Sequence, residues 1–148
     1  MKNKLSIIIP TFREGKIIDK SVNEINDILL KETIDFEILI IDDNSNDQTS
    51  EKIKKISNKN QHIKLILNTL PKGFGNSIIE GIKNAEGEII CFVMADQSDS
   101  PQDIVNYYNE IIKDNLDCVF GDRWVGGKLV ENYPKFKFLI NRIGNKVI

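Results

Sequence analysis

The chain has 148 residues, 41% of them hydrophobic, enough for one domain with a real core and too few for two ordinary ones. Its 20 basic and 22 acidic residues leave a formal net charge of -2, which carries no general polyanion-binding signal and argues against a nucleic-acid partner. No run approaches the roughly 18 apolar residues of a membrane span, and the first apolar run, LSIII, is cut by Pro10 before it could serve as a signal-peptide core.

In chain order, LSIIIP predicts a first strand that runs into PTFREGK, and Ile18, Val22, Ile25 and Leu29 mark the buried face of a first helix. FEILII predicts a second strand running into DDNSNDQT, followed by a helix with Ile53 and Ile56 inward. IKLIL predicts a third strand, and Phe74, Ile78, Ile82 and Ala85 give the next helix a buried stripe. EIICFVM predicts a fourth strand that breaks into ADQSDSP, with Met94 open to two readings, the last packed residue of the strand or a position of the loop's site, and Ile104, Tyr108 and Ile111 mark a fourth helix. DCVFG predicts a fifth strand, running into GDRWVGG. Unbroken β-branched and aromatic runs are the pattern of strands buried on both faces. Alternating with helices, they predict an α/β fold, a mostly parallel central sheet with helices on both faces. Cys91 and Cys118 lie in apolar runs without a CxxC or a neighbouring His, and are expected as buried, reduced thiols.

Such sheets bind ligands at the carboxyl ends of their strands. There the chain collects Arg13, Glu14, Asp42, Asp43, Asp96, Asp99 and Arg123, which are expected to converge on one rim. Helix capping is the simpler use of some of these loops: Asp47 or Thr49 for the second helix, and Ser98, Asp99 or Ser100 for the fourth, with Pro101 in its first turn. Capping explains one acid per loop, but not an adjacent pair followed by a second acidic loop. Gly73 and Gly75 open the third helix, where free N–H groups beside Lys72 suit a phosphate, although close helix packing is an alternative reason for glycine.

Together SIIIPTFREGKII, ILIIDDNSNDQT, PKGFGNSIIEGIKNAEGEIICFVMADQSDSP and VFGDRWVGG resemble the nucleotide-sugar domain of family 2 glycosyltransferases, nearest to the dolichol- or polyprenyl-phosphate sugar synthases. The resemblance covers about Leu5 to Asn145 and implies the Rossmann-like GT-A fold. It assigns Asp42 and Asp43 to the nucleotide base, with Pro10, Thr11 and Glu14 lining the nucleoside pocket and Lys72 and Gly73 near the phosphates. Carboxylates beside a diphosphate require a divalent cation between them, Mg2+ or Mn2+ by ligand type. Asp96 resembles the second acid of the family's Asp-x-Asp metal motif, with Ser98 and Asp99 as further ligands; Met94 stands where many relatives have the first acid. Arg123 matches a family arginine expected to clamp phosphate, and Asp122 replaces the usual small hydroxyl residue before it.

A hydroxyl acceptor would need a general base, whereas a lipid phosphate is already anionic near neutral pH. After Asp122 the only carboxylate side chain is Glu131, which favours a phosphate acceptor. The expected reaction is transfer of a sugar from a GDP- or UDP-sugar to a polyprenyl phosphate, with inversion inferred from the family. Residues 133–148 carry Lys135, Lys137, Arg142 and Lys146 with an apolar stripe, suited to an anionic membrane surface or to core packing with a solvated basic face. The resemblance makes Arg142 a second phosphate contact. The expectation is a single domain over 1–148, C-terminally incomplete, cytoplasmic and peripheral on the membrane. Two rivals differ in class: a non-catalytic nucleotide-sugar-binding domain, favoured by Met94, and a receiver-like signalling domain, which lacks its expected Asp and Lys at the third and fifth strand ends.

Overall fold

A computed structural model of the protein describes residues 3–121. They form β1 (Leu5–Thr11), α1 (Ile18–Lys31), β2 (Phe36–Asp42), α2 (Thr49–Ser57), β3 (Ile63–Leu67), α3 (Phe74–Asn84), β4 (Ile89–Phe92) and α4 (Pro101–Asp114). The sheet has the order β3-β2-β1-β4, with every neighbouring pair parallel. Strand order therefore reverses at β1, and the crevice beyond the carboxyl ends of β1 and β4 is the place where this topology seats ligands.

Every residue of β1 and β2 is buried, as expected of central strands covered on both faces. On one face Leu5, Ile7, Ile9, Ile38 and Ile40 pack with Ile18, Val22, Ile25 and Leu29 of α1, Ile53 of α2, and Ile104 and Val105 of α4. On the other, Ile8, Leu39 and Ile41 pack against Ile78 and Ala85, in and just beyond α3. Burial of each such isoleucine contributes about 1.5–3 kcal/mol. Helices thus lie on both faces, three on one side and α3 on the other.

Pro10 sets how far the sheet closes. Pairing of β1 with β2 continues to Thr11↔Asp42, but pairing with β4 stops at Ile8↔Phe92. The Ile8 carbonyl accepts the Val93 N–H at 3.1 Å, so residue 8 faces β4; residue 10, two along, faces the same way and has no N–H to continue the ladder. The loop after β4 peels away at that point.

Four expectations are corrected. DCVFG is not a strand; residues 117–121 follow α4 without pairing to the sheet. The fourth strand is shorter than EIICFVM, and Met94 lies beyond it, 40% exposed rather than packed. Cys91 is half-buried and burial, helped by the charge of Asp99, raises its thiol to about 11, whereas Cys118 is exposed. Of the stripe expected on α3, Ile78 and Ala85 pack against the sheet, but Phe74 and Ile82 are exposed, and the buried residues of the helix are Ser77, Glu80 and Gly81. The cause is close packing: a Cβ on Gly81 would lie 2.5 Å from Ile8 Cγ2, so the helix axis sits too near the sheet for a large side chain at its centre.

The amino end of the sheet is fastened by an ionic cluster. The buried Glu37 carboxylate accepts from Ser6 Oγ at 2.7 Å, the Glu86 N–H at 2.7 Å and Lys64 Nζ at 2.9 Å. Lys64 and Lys4 also pair with Glu86, at 2.8 and 2.7 Å, which ties the turn after α3 to β1, β2 and β3.

Candidate functional site

Because all four strands are parallel, the loops that follow them open on one edge, and the β1 and β2 loops are laced together there. The Arg13 N–H donates to Ser45 Oγ at 2.9 Å, Arg13 Nε donates to Asn46 Oδ1 at 2.9 Å, and the Gly15 N–H donates to Asp47 Oδ2 at 3.3 Å. Asp47 Oδ1 takes the Thr49 N–H and hydroxyl at 3.0 and 2.5 Å; with the Thr49 hydroxyl as the leading cause, these bonds hold its carboxyl below the usual range. Asp47, foreseen as a cap, thus holds Thr49, the first residue of α2, from just before the N-cap Gln48, and Ser100 caps α4 by accepting the Gln102 N–H at 3.3 Å.

Asp42 and Asp43 do different jobs. Asp42 is 0% exposed; its Oδ1 accepts from the Ser45 N–H and hydroxyl at 3.1 and 2.5 Å, and its Oδ2 accepts from Ser50 Oγ. It organises the loop into α2. Asp43, 8% exposed, accepts from Asn68 Nδ2 on Oδ1 at 2.7 Å and from the Gly73 N–H on Oδ2 at 2.9 Å. A carboxylate has about four acceptor positions, so two internal bonds leave Asp43 capacity toward the cleft.

Pro10 and Thr11 are buried at the end of β1, where Thr11 Oγ1 donates to the Ile9 carbonyl at 3.1 Å. Glu14 is half-buried and its carbonyl starts α1 by accepting the Ile17 and Ile18 N–H groups at 3.0 and 3.0 Å. Between them stands Phe12, 44% exposed, with the Arg13 guanidinium 5.0 Å and Lys72 Nζ 5.2 Å from its ring centroid. Lys72 also donates to the Asn44 carbonyl at 3.3 Å, which brings the β3–α3 loop to the same rim. Sequence reasoning missed Phe12 because an aromatic after an apolar run reads as core; the polar residues on both sides of it were the available signal.

Beyond β4, Asp96 is exposed and its Oδ1 accepts the Ser98 N–H at 3.0 Å, while Asp99 Oδ2 accepts the Met94 N–H at 3.2 Å. Gln97 ties this loop to α1 by donating to Glu24 Oε2 at 2.5 Å. Arg13, Asn44 and Gln97, one in each of three strand-end loops, have positive φ angles of 59°, 57° and 60°. Such left-handed residues cost about 1–3 kcal/mol each and gather where a structure is held for a purpose. Among the described residues no three His, Cys, Asp or Glu side chains converge as a metal cage. This donor set fits Mg2+ or Mn2+ in the mode where one or two carboxylates join substrate phosphates and water. Arg123 and Arg142 lie outside the described residues.

A family profile, Glycosyl transferase family 2, matches residues 6–147. The chain belongs to that family. Dolichol-phosphate mannosyltransferase of Pyrococcus furiosus is 34% identical over 139 residues, which cover 94% of this chain and 38% of that protein. TarP of Staphylococcus aureus, a poly(ribitol-phosphate) beta-N-acetylglucosaminyltransferase, is 30% identical over 130 residues, covering 84% of this chain and 38% of that one. Among solved structures, TarS 1–349 of S. aureus superposes with a TM-score of 0.61 at 29% identity, over 74% of this chain and 32% of that chain. Mannosyltransferase PcManGT of Pyrobaculum calidifontis shares the fold, with a TM-score of 0.61 at 20% identity over 72% of this chain and 32% of that chain. This family 2 chain therefore has the GT-A fold foreseen from its motifs, and it spans 38% of the length of these two curated relatives.

Proposed function

We propose that this family 2 domain binds a nucleotide-diphospho-sugar in the cleft at the carboxyl edge of β1, β2 and β4 and transfers the sugar to a phosphate acceptor with inversion. The observation that carries the reading is the meeting of Phe12, Asp43 and Lys72 at the strand-end edge, with Lys72 Nζ 5.2 Å from the Phe12 ring and Asp43 bonded to the Gly73 N–H, and with the exposed Asp96 on the loop that follows the parallel strand β4. Phe12 offers a ring for the base, and Asp43 an acceptor for its N–H groups. Lys72 and the start of α3 offer a cation and backbone N–H groups to the diphosphate; Gly73, at φ 144° with open space around its missing side chain, lets phosphate approach.

Asp96 would hold Mg2+ or Mn2+ together with the donor's phosphate oxygens, with Ser98 and Asp99 as the proposed further ligands. When bound, the ion would neutralise charge on the departing nucleoside diphosphate. An acceptor phosphate oxygen is already ionised near neutral pH and attacks the anomeric carbon without a general base. The similarity to a dolichol-phosphate mannosyltransferase supports a lipid-phosphate acceptor, for which Arg123 and Arg142 are the proposed clamps. Docking of a basic segment at 133–148 on an anionic cytoplasmic membrane face is part of the same proposal.

Calorimetric titration with UDP- and GDP-sugars, each with Mn2+, Mg2+ or EDTA, tests the donor site in wild type and Asp96→Ala. Metal-dependent binding of one donor, lost in the variant, is expected; folded protein that binds none would sink the proposal. A second reading, a donor-binding domain without turnover, is favoured by Met94 at the first acidic position, where the exposed thioether adds no anionic ligand. It predicts donor binding with no sugar appearing on polyprenyl phosphate.

A further inference from the structure

Asn68 is 4% exposed and lies just beyond β3, where every polar group it has is engaged. Its backbone N–H donates to the Asp42 carbonyl at 2.9 Å, and its own carbonyl accepts from Asn44 Nδ2 at 3.1 Å. In the side chain, Oδ1 accepts the Leu70 N–H at 3.0 Å and Nδ2 donates to Asp43 Oδ1 at 2.7 Å. The amide can face only one way: a carboxylate accepts and an N–H donates, so the NH2 must meet Asp43 and the oxygen must meet Leu70. The other oxygen of Asp43 takes the Gly73 N–H, at the start of α3, at 2.9 Å.

We propose that Asn68 is a positioning residue of the donor site that acts through Asp43. Rotation about the last bond of an aspartate is soft. With Gly73 as the one tether the carboxylate could swing; with Asn68 on its second oxygen the carboxylate plane is fixed, and its remaining lone pairs are aimed for a base. The two bonds tie Asp43 to the end of β3 through Asn68 and to the N-cap of α3 through Gly73, so the parts proposed to read base and diphosphate hold each other. This role rests on the reading of the cleft as a nucleotide-sugar site.

Asn68→Asp provides a test that packing alone would not mimic. Two carboxylates in hydrogen-bond contact ionise together only at a cost, so one pKa rises: the pair shares a proton at low pH and is doubly charged, and repels, at high pH. The wild type, Asn68→Asp and Asn68→Ala are compared at about pH 5 and about pH 8 by hydrogen exchange of the Gly73 amide and by titration with UDP and GDP in Mn2+. Melting temperatures identify any variant that does not fold. The expected result at high pH is loss of Gly73 protection and a weakening of nucleotide binding by about tenfold or more in both variants. Asn68→Asp, but not Asn68→Ala, recovers both at low pH. Nucleotide binding by the wild type with Gly73 protection unchanged in both folded variants overturns the role of Asn68 alone, as does an Asn68→Asp affinity that is pH-independent relative to wild type. Wild type that binds neither UDP nor GDP overturns the donor reading on which the role rests.

Discussion

Phe12 is an aromatic side chain left partly exposed at the strand-end rim. Half in solvent, with Arg13 and Lys72 near its ring, it is the side chain proposed to stack on the base. Base–aromatic stacking is worth about 1–3 kcal/mol, so Phe12→Ala should weaken UDP or GDP binding by roughly 5- to 150-fold while leaving the melting temperature nearly unchanged. Equal affinity in calorimetry would remove Phe12 from the site. Glu37 is the opposite case: it is buried, and three donors depend on it. Glu37→Leu would strand the Ser6 hydroxyl and the Glu86 N–H, a loss of about 1–3 kcal/mol per unsatisfied group, measurable by urea unfolding. At this scale the sequence named the acids but not their duties. Asp42 and Asp43 are identical letters side by side, yet one organises a loop and the other retains capacity at the cleft. Asn68 carried no signal at all, since a polar residue after a strand is ordinary; its importance comes from four partners that meet only in the fold.

At the scale of elements, helix α3 explains both a success and an error. Its existence was legible from spacing, and so were Ile78 and Ala85 of its inward face, whereas Ser77 and Gly81, through which it approaches the sheet, were not, because apolar periodicity marks large residues. Gly81→Ala gains about 1 kcal/mol of helix propensity but drives a methyl against the fully buried Ile8, at a cost of about 1–3 kcal/mol for overpacking. The expected outcome is a lower melting temperature and a smaller unfolding free energy; an increase would mean that Ile8 can yield. The fifth strand failed for a related reason. DCVFG has the composition of a strand, but strand propensity reports fit to a half-buried pleated surface, and residues 117–121 pair with no strand among the described residues. The first two strands were read correctly because their apolar runs are buried on both faces, a condition that composition alone does reveal.

For the whole molecule, the strand-end loops and the ionic cluster divide the sheet into a cleft end and a fastened end. Glu86, paired with Lys4 and Lys64, has its carboxyl lowered from 4.5 to about 2. For Glu37, burial pulls the carboxyl up, but Lys64, the Glu86 N–H, Ser6 and Lys4 together outweigh it and hold it low. Lys64 is raised, chiefly by Glu86 and then Glu37. Since the folded carboxyl values lie below the unfolded ones, their stabilisation is complete above about pH 4.5 and is lost as pH falls toward about 2. The lysine contribution has the opposite sign and fails only at high pH, beyond 10.5. Melting temperature measured from neutrality down to strong acid should therefore decline through this acidic window, and Glu86→Gln should make the curve shallower. An unchanged slope would place acid lability elsewhere.

The mouth of the cleft depends on a hydrogen that Pro10 does not have. With an N–H at that position, β1 could take another rung with β4, drawing the Asp96 loop toward the sheet. Mouth width and sheet strength are thereby set by different atoms, so that one can drift in evolution or be engineered without rebuilding the other. Pro10→Val should leave the fold standing while loosening its grip on nucleotide. A folded variant that bound UDP or GDP as tightly as the parent would show that the gap is held open by something other than that missing donor.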